Sequence, residues 1–516
     1  MMAEKAVYLE QKLPEYMDNP LIEALPDILS TEEAMRLLTR RARYDETERR
    51  IASKYRVHCL LRLAHEYYQP LPQHFRIESK ISVCIRQGYL NRNPLDRGFV
   101  LMANEGHDAA VQKRTVRKVP GYRPNASGFT IIGVSGVGKS TAVESVLDLY
   151  PQVIEHSEYK GKPFPFTQLV WLKLDCPHDG TLGGLCYSFF RAIDMIMGTS
   201  FYDEYKKSRV TIDSMMVQMT RIAHEYAIGV LVIDEIQHLS QAKSGSDAML
   251  NFFVTLVNTI GVPVILIGTS KATPILQGEF RQARRGSAMG DIIWNRMEED
   301  ADWEFFVRTM WGYQWTGEKV EFSREMLKAF YHETQGIAVL AVILYALVQE
   351  EAILGEKETF DVRDIHETAV KRMALVQPML EAIRKDDRKM IERYADITTI
   401  VLEQFDKEHG YEQPVETKGK KSSERALGKL LEEILPFLLK LGILPEKAEG
   451  YVGEAYKQAG TEDAKQIMAR VYEMYIRDMP SENSKVQVPQ ESGGKDEDDL
   501  RSGSEPGSDS YDDESW

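Results

Sequence analysis

From residue 128 onward, four apolar runs of strand length punctuate the chain: FTIIGV, QLVWLKLD, GVLVIDEI and VPVILIGT. Each is nearly continuous in β-branched, aliphatic and aromatic residues, and helical stretches separate them. Strands without a polar face that alternate with helices predict a parallel sheet covered on both sides, an α/β core. Up to about Pro94 the pattern is helical instead, and Ser30 followed by Glu33 reads as a capping box opening AMRLLTRRAR. After Trp315 the strands vanish, and LKAFYHETQGIAVLAVILYALVQEEAI predicts a small helical lid. Residues 410–423 are polar and Lys-rich, as a linker would be; beyond them Leu427, Leu430, Leu431, Ile434 and Leu438 share one helical face, which Pro436 kinks or divides. Past Pro480 too little apolar surface remains to offset the entropy of ordering, so that tail is expected to be disordered. The expected organisation is a helical N-terminal region (1–95), an α/β core (96–320), a helical lid (321–375), a helical C-terminal extension (376–480) and an acidic tail (481–516).

Composition changes this picture little. A chain of 516 residues exceeds a single core, and no apolar run approaches the roughly 20 residues that span a bilayer. With no basic segment, apolar stretch and cleavage site at the start, a cytoplasmic location is the expectation. Cys59, Cys84, Cys176 and Cys186 lack zinc-ligand spacing and read as reduced, packed thiols. Residues 491–516 hold ten acidic and two basic side chains, −8 of the net −15, so the body is only mildly acidic and a basic face for nucleic acid stays open. The basic and aromatic residues Arg36, Arg40, Arg41, Arg43, Tyr67, Tyr68, Arg86, Tyr89 and Arg92 read either as a solvated helix face or as nucleic-acid or partner contacts.

The chemistry concentrates after the first strand. Gly133, Ser135, Gly136, Val137, Gly138, Lys139, Ser140 and Thr141 fit GxxxxGK[ST] between a strand and a helix. Glycines let the backbone wrap phosphates, and N–H groups at the helix start attract anions. Lys139 is expected on the β- and γ-phosphates of ATP, with the Ser140 hydroxyl on Mg²⁺. A second strand delivers Asp234 and Glu235 at its carboxyl end, where open α/β sheets bind ligands. Asp234 is assigned to Mg²⁺ and Glu235 to polarising the attacking water. The next strand ends at Thr269 and Ser270, whose hydroxyls would sense phosphate or position water, or merely cap a turn; the expected P-loop strand is flanked by this strand and the acidic one. Arg281, Arg284 and Arg285 follow, candidates for an arginine completing a neighbouring subunit's site, for DNA contact, or for a solvated helix.

This order of P-loop, acidic strand, hydroxyl-ended strand, arginines and lid resembles the AAA+ ATPases. More narrowly, NPLIEALP (19–26), IRQGYLNRNP (85–94), WLKLDCPHDGTLGGLCYSFFRAID (171–194), VIDEIQHL (232–239) and MWGYQWTG (310–317) are similar to TnsC, the AAA+ regulator of heteromeric cut-and-paste bacterial transposons, some of them CRISPR-associated. The resemblance spans about residues 15–375. It implies a bacterial ATPase that forms a homo-oligomeric ring or filament on double-stranded DNA without sequence preference. It also implies links between a target-selection protein (TnsD/TniQ-like) and transposase subunits (TnsA/TnsB-like), with hydrolysis as a timer. By the same analogy Lys160 and Lys162, in EYKGKPFPF, are candidates to track DNA phosphates, with a solvated loop as the alternative. Two departures stand out: QGIAVLAVILYALV carries no lid arginine, and Thr269 replaces the asparagine frequent in the wider class. A nucleotide-switched scaffold and an origin initiator are the rival readings; the second needs a winged helix, and residues 424–478 show no strand hairpin.

Overall fold

The computed structural model describes residues 3–112, 127–207, 210–241, 261–273 and 289–387, with single positions elsewhere. Residues 1–413 form one compact unit; of the second, 414–516, only single positions are described. The linker, the apolar face around Leu430 and the acidic tail therefore lie outside the described residues.

The chain opens with β1 (Glu4–Lys5), α1 (Pro20–Glu23), α2 (Thr31–Leu38), α3 (Ser53–Glu66), α4 (Pro72–Leu90) and α5 (Arg97–Val111). The α/β part holds β2 (Phe129–Gly133), α6 (Lys139–Leu147), β3 (Val153–Tyr159), β4 (Lys162–Leu169), β5 (Trp171–Asp175), α7 (Leu182–Met197), α8 (Phe201–Lys207), α9 (Ile212–Glu225), β6 (Val230–Asp234), β7 (Val264–Gly268) and β8 (Ile292–Trp294). Five helices complete the described chain: α10 (Ala301–Met310), α11 (Arg324–Thr334), α12 (Ala338–Leu354), α13 (Val362–Arg372) and α14 (Gln377–Arg384).

The fold is that of an AAA+ P-loop NTPase: a parallel sheet in the order β5-β6-β7-β2-β8, with helices on both faces. The apolar runs follow from burial on two sides. Leu231 and Ile233 of β6 pack with α7 and α9, whereas Val230 and Val232 pack with α4 and α6. Two expectations need correction. The strand before Thr269, β7, lies between the P-loop strand and the acidic strand, whose register is fixed by pairs such as Val232 with Ile265, so β6 does not touch β2. Inserting β7 brings the ends of three strands to one crevice. The run QLVWLKLD is two strands, not one: Gln168 and Leu169 end β4, which hairpins antiparallel to β3 in a second sheet, and Trp171 begins β5 after a break at Val170. An apolar run carries no mark of which sheet each half joins.

The capping box at Ser30 is present, with the Ser30 hydroxyl accepting from Glu33 N–H (3.2 Å) and Glu33 accepting from Ser30 N–H (2.8 Å). Its helix stops at Leu38, where Thr39 turns extended. The basic and aromatic set of the N-terminal region divides: Arg36, Arg40, Arg41 and Arg43 are exposed, while the others are wholly or partly buried. Tyr67, Arg86, Tyr89 and Arg92 are buried, and the arginines satisfy main-chain carbonyls: Arg86 donates to Pro26 O and Arg92 to Ile228 O (2.6 Å). Asn19 Nδ2 also donates to Tyr89 O (2.9 Å), and Tyr89 OH to Ala227 O (2.8 Å). Segments 19–26 and 85–94 thus brace each other and the entry to β6. A buried guanidinium without such carbonyls would cost several kcal/mol, which explains their fixed geometry.

One apolar cluster joins α3 to α10, α11, α12, α13 and α14. α12 is apolar on every side because it is buried on nearly every side. No single described helix is long and apolar enough to cross a membrane. All four cysteines are buried and free, and burial pushes the Cys84, Cys176 and Cys186 thiols up to about 12.

Candidate nucleotide site

β2 ends at Gly133 and α6 starts at Lys139, so the intervening loop closes over the strand end. Gly136 (φ 79°) and Gly138 (φ 99°) occupy the left-handed region, which side chains resist. Gly133 has a different task from the phosphate wrapping expected of it: a Cβ there would meet Trp294 O at 2.0 Å, so the glycine lets β8 pair alongside. Val137 is buried, Ser135 and Ser140 are half-buried, and Thr141 is exposed on the first turn of α6. Lys139 Nζ donates to the loop's own carbonyls, Val134 O at 2.9 Å and Gly133 O at 3.2 Å. Burial lowers its pKa to about 8, against the pull of Asp234 and Glu235.

Asp234 is buried at the end of β6, paired in register with Asp175. Its Oδ1 accepts from Glu235 N–H (2.8 Å), and its Oδ2 lies 3.3 Å from Lys173 Nζ. Lys173 also meets Glu144 Oε1 at 2.7 Å and Asp175 Oδ1 at 3.5 Å, which keeps its ammonium charged despite burial. Glu235 takes φ 58° and is exposed at the end of β6. Desolvation by the flanking protein, then the Asp234 charge, raises its pKa. Gln237 ties this carboxylate to the next strand, its Nε2 donating to Glu235 Oε2 while its Oε1 accepts from Thr269 N–H (3.1 Å). Gly268 permits the approach, since a Cβ there would meet Ile236 at 2.6 Å and Gln237 Oε1 at 3.1 Å. Thr269 Oγ1 is buried with no protein partner, at the crevice end of β7. A buried hydroxyl left this way costs about 1–3 kcal/mol unless water or a ligand oxygen meets it.

On another side of the loop, Gly136–Gly138 and Thr141 border a mostly apolar cavity of about 190 Å³. Tyr68, His74, Trp294, Val339 and Val342 line it. The His74 ring sits edge-on to both Tyr68 and Trp294, with centroids 5.3 and 5.0 Å away. Leu71 N–H donates to His74 Nδ1 (2.9 Å), and burial lowers the ring's pKa to about 4, so His74 is neutral. The lid closes the cavity through Val339 N–H, 3.4 Å from Gly136 O.

The structure thus brings Lys139, Asp234, Glu235 and Thr269 together at neighbouring strand ends, with Ser140 following Lys139 on the first turn of α6, and adds three features that motif reading missed: Gln237, Lys173 and the apolar cavity. Lys173 sits two positions before Asp175 on β5, so strand alternation puts both on one side, whereas Gln237 lies in the helical turn after Glu235 and carries no such mark. The cavity has no such signal, because α3, α4, β8 and α12 supply it from distant segments. Lys160 and Lys162 are elsewhere, at the turn between β3 and β4 in the second sheet. Lys160 (φ 50°) pairs with Asp18, and Lys162 is exposed. Arg281, Arg284 and Arg285 lie outside the described residues.

Residues 123–276 match the family model of an AAA domain. No curated protein matches the chain. Among solved structures, the Thermotoga maritima RuvB Holliday junction branch migration motor is 12% identical over 62% of this chain and 90% of its own, with a TM-score of 0.30. The Aeropyrum pernix Orc1 protein in complex with DNA is 14% identical over 73% and 82%, TM-score 0.35. Drosophila ORC bound to DNA is 12% identical over 79% and 88%, TM-score 0.36. Likenesses this distant carry nothing about function.

Proposed function

We propose that this chain is an ATP-dependent regulator of DNA transposition. In this reading it assembles as a homo-oligomer on double-stranded target DNA, links a target-selection protein (TnsD/TniQ-like) to transposase subunits (TnsA/TnsB-like), and disassembles on ATP hydrolysis. The observation that carries the nucleotide half is the convergence of Lys139, Asp234, Glu235 and Thr269 at neighbouring strand ends, with a mostly apolar cavity on another side of the loop. The transposition half rests on the five sequence segments similar to TnsC.

The residues fit ATP and Mg²⁺. The donor-rich loop, the unmatched Thr269 hydroxyl and the buried Asp234 carboxylate suit a triphosphate carrying a hard cation, while the mostly apolar cavity with its aromatic side chains suits a base. Ser140 and Asp234 would hold Mg²⁺, which supplies charge neutralisation between the phosphates. Lys139 exchanges its loop carbonyls for phosphate oxygens. Glu235, its pKa raised and its position fixed by Gln237, accepts a proton from water as that water attacks. Gln237 joins the Glu235 side chain to the Thr269 backbone, so a phosphate met by Thr269 also sets the angle of the base. Arg281, Arg284 and Arg285 remain our candidates for the arginine a neighbouring subunit lends, and Lys160 and Lys162 for phosphate contacts on DNA.

Electron microscopy of the chain with duplex DNA and a non-hydrolysable ATP analogue tests the proposal. Rings or filaments on DNA are expected, absent in Lys139→Ala. Assembly that needs ATP but ignores DNA would reject the transposition reading in favour of a nucleotide-switched scaffold, which the arginine-free lid helix α12 favours.

A further inference from the structure

We infer that His332, Glu333 and His366 form a binding site for a Zn²⁺-class transition-metal ion in the lid, apart from the ATP crevice. His332 and Glu333 end α11, and His366 sits in α13 packed against it. The two imidazoles converge on a single carboxylate oxygen: His332 Nδ1 lies 2.8 Å and His366 Nδ1 2.7 Å from Glu333 Oε1. The three ligand atoms all fall within 4.8 Å of one another, and among the described residues no other three His, Cys, Asp or Glu side chains converge so closely.

The donor set decides the class of ion. Two imidazole nitrogens and one carboxylate oxygen match the three-ligand zinc sites that leave a fourth position to water, and imidazole selects zinc, nickel or copper over magnesium and calcium. Burial is graded in the way such a site needs. Glu333 is buried, His366 is partly exposed, and the His332 side chain is 58% exposed, which leaves an entry path. Arg384 supplies outer support, donating through Nη2 to His332 O (2.9 Å) while standing 3.6 Å from Glu333 Oε2. Its positive charge works against cations held by charge alone, which again favours metals bound through nitrogen.

Without metal, each ring meets Glu333 Oε1 through Nδ1; with the ion bound, each ring would present its Nδ1 lone pair to it and carry its proton on Nε2. The ion would tie α11 to α13 immediately before Gln335 (φ 52°) and Gly336 (φ 72°), the turn that leads to Val339 and its contact with Gly136 O. This inference does not depend on the chain's being an ATPase or a transposition regulator.

The test uses the full chain without an affinity tag, stripped with chelator and titrated with Zn²⁺ by calorimetry, then with Co²⁺ by visible absorption. One equivalent per chain is expected, with a Co²⁺ d–d band, and affinity reduced roughly tenfold or more in both His332→Ala and His366→Ala. His58→Ala, exposed on α3, should bind like the wild type. Because His332 is largely exposed, its truncation leaves the core intact. Metal-free melting of His332→Ala should equal the wild type, while Zn²⁺ raises the melting temperature of the wild type only. Substoichiometric binding by the wild type, or unchanged affinity in the His332 variant, overturns the proposal.

Discussion

The two ends of the nucleotide site are built by opposite rules. At the phosphate end, polar groups stand in unsettled arrangements: Lys139 folded onto its own loop, Glu235 at φ 58°, and Thr269 Oγ1 buried without a protein partner. At the cavity end, Tyr68, His74, Trp294 and Val339 give a mostly apolar wall whose imidazole, His74, is held neutral by burial. The phosphate end holds charged and polar groups at an energetic cost that a ligand would relieve; the cavity end is mostly apolar, the buried and unpartnered Tyr68 hydroxyl excepted, and chiefly excludes water. Reactivity and recognition should therefore respond to different substitutions.

The largest separation is expected from Glu235→Gln. Loss of the base should slow single-turnover hydrolysis by roughly 10²- to 10⁴-fold while ATP binding stays near the wild-type level. Hydrolysis that survives would move the base elsewhere in the crevice. Next comes pH. The ammonium of Lys139 is the form that attracts phosphate, and its pKa is lowered to about 8, so affinity is present below that value and lost as pH rises through it. The charged fraction falls from about nine-tenths at pH 7 to about one-tenth at pH 9, which predicts roughly tenfold weaker ATP binding. A flat affinity profile would mean that Lys139 does not meet phosphate. The smallest effect belongs to the cavity end. Val339→Glu should weaken ATP about fivefold, near 1 kcal/mol of lost apolar contact, yet leave inorganic tripolyphosphate unaffected. Equal weakening of both ligands would erase the distinction between the ends.

The same division explains what was legible in the sequence. The phosphate end is local: eight consecutive residues from Gly133, and an acidic pair at the end of the buried strand β6, each fix their own backbone, so spacing sufficed. Gly133 was legible as a glycine but not for its reason, since the clash with Trp294 O depends on β8, far along the chain. The break of QLVWLKLD at Val170 escaped because both halves are apolar and only pairing with β3 or β6 tells them apart. Arg86 and Arg92 looked like surface charge because sequence shows the side chain and not the carbonyls of Pro26 and Ile228 that receive it. The cavity end was invisible for the same reason, being assembled from elements scattered along the chain that no single window contains.

The account's central claim is that the loop from Gly133 to Ser140 is a triphosphate site whose affinity runs through Lys139. Calorimetric titration of the chain and of Lys139→Ala with ATP and Mg²⁺ tests it most directly. The prediction is one ATP per wild-type chain and no measurable binding by the variant at the same concentrations. A wild-type chain that binds no ATP, or a variant that binds it as tightly, would contradict the claim.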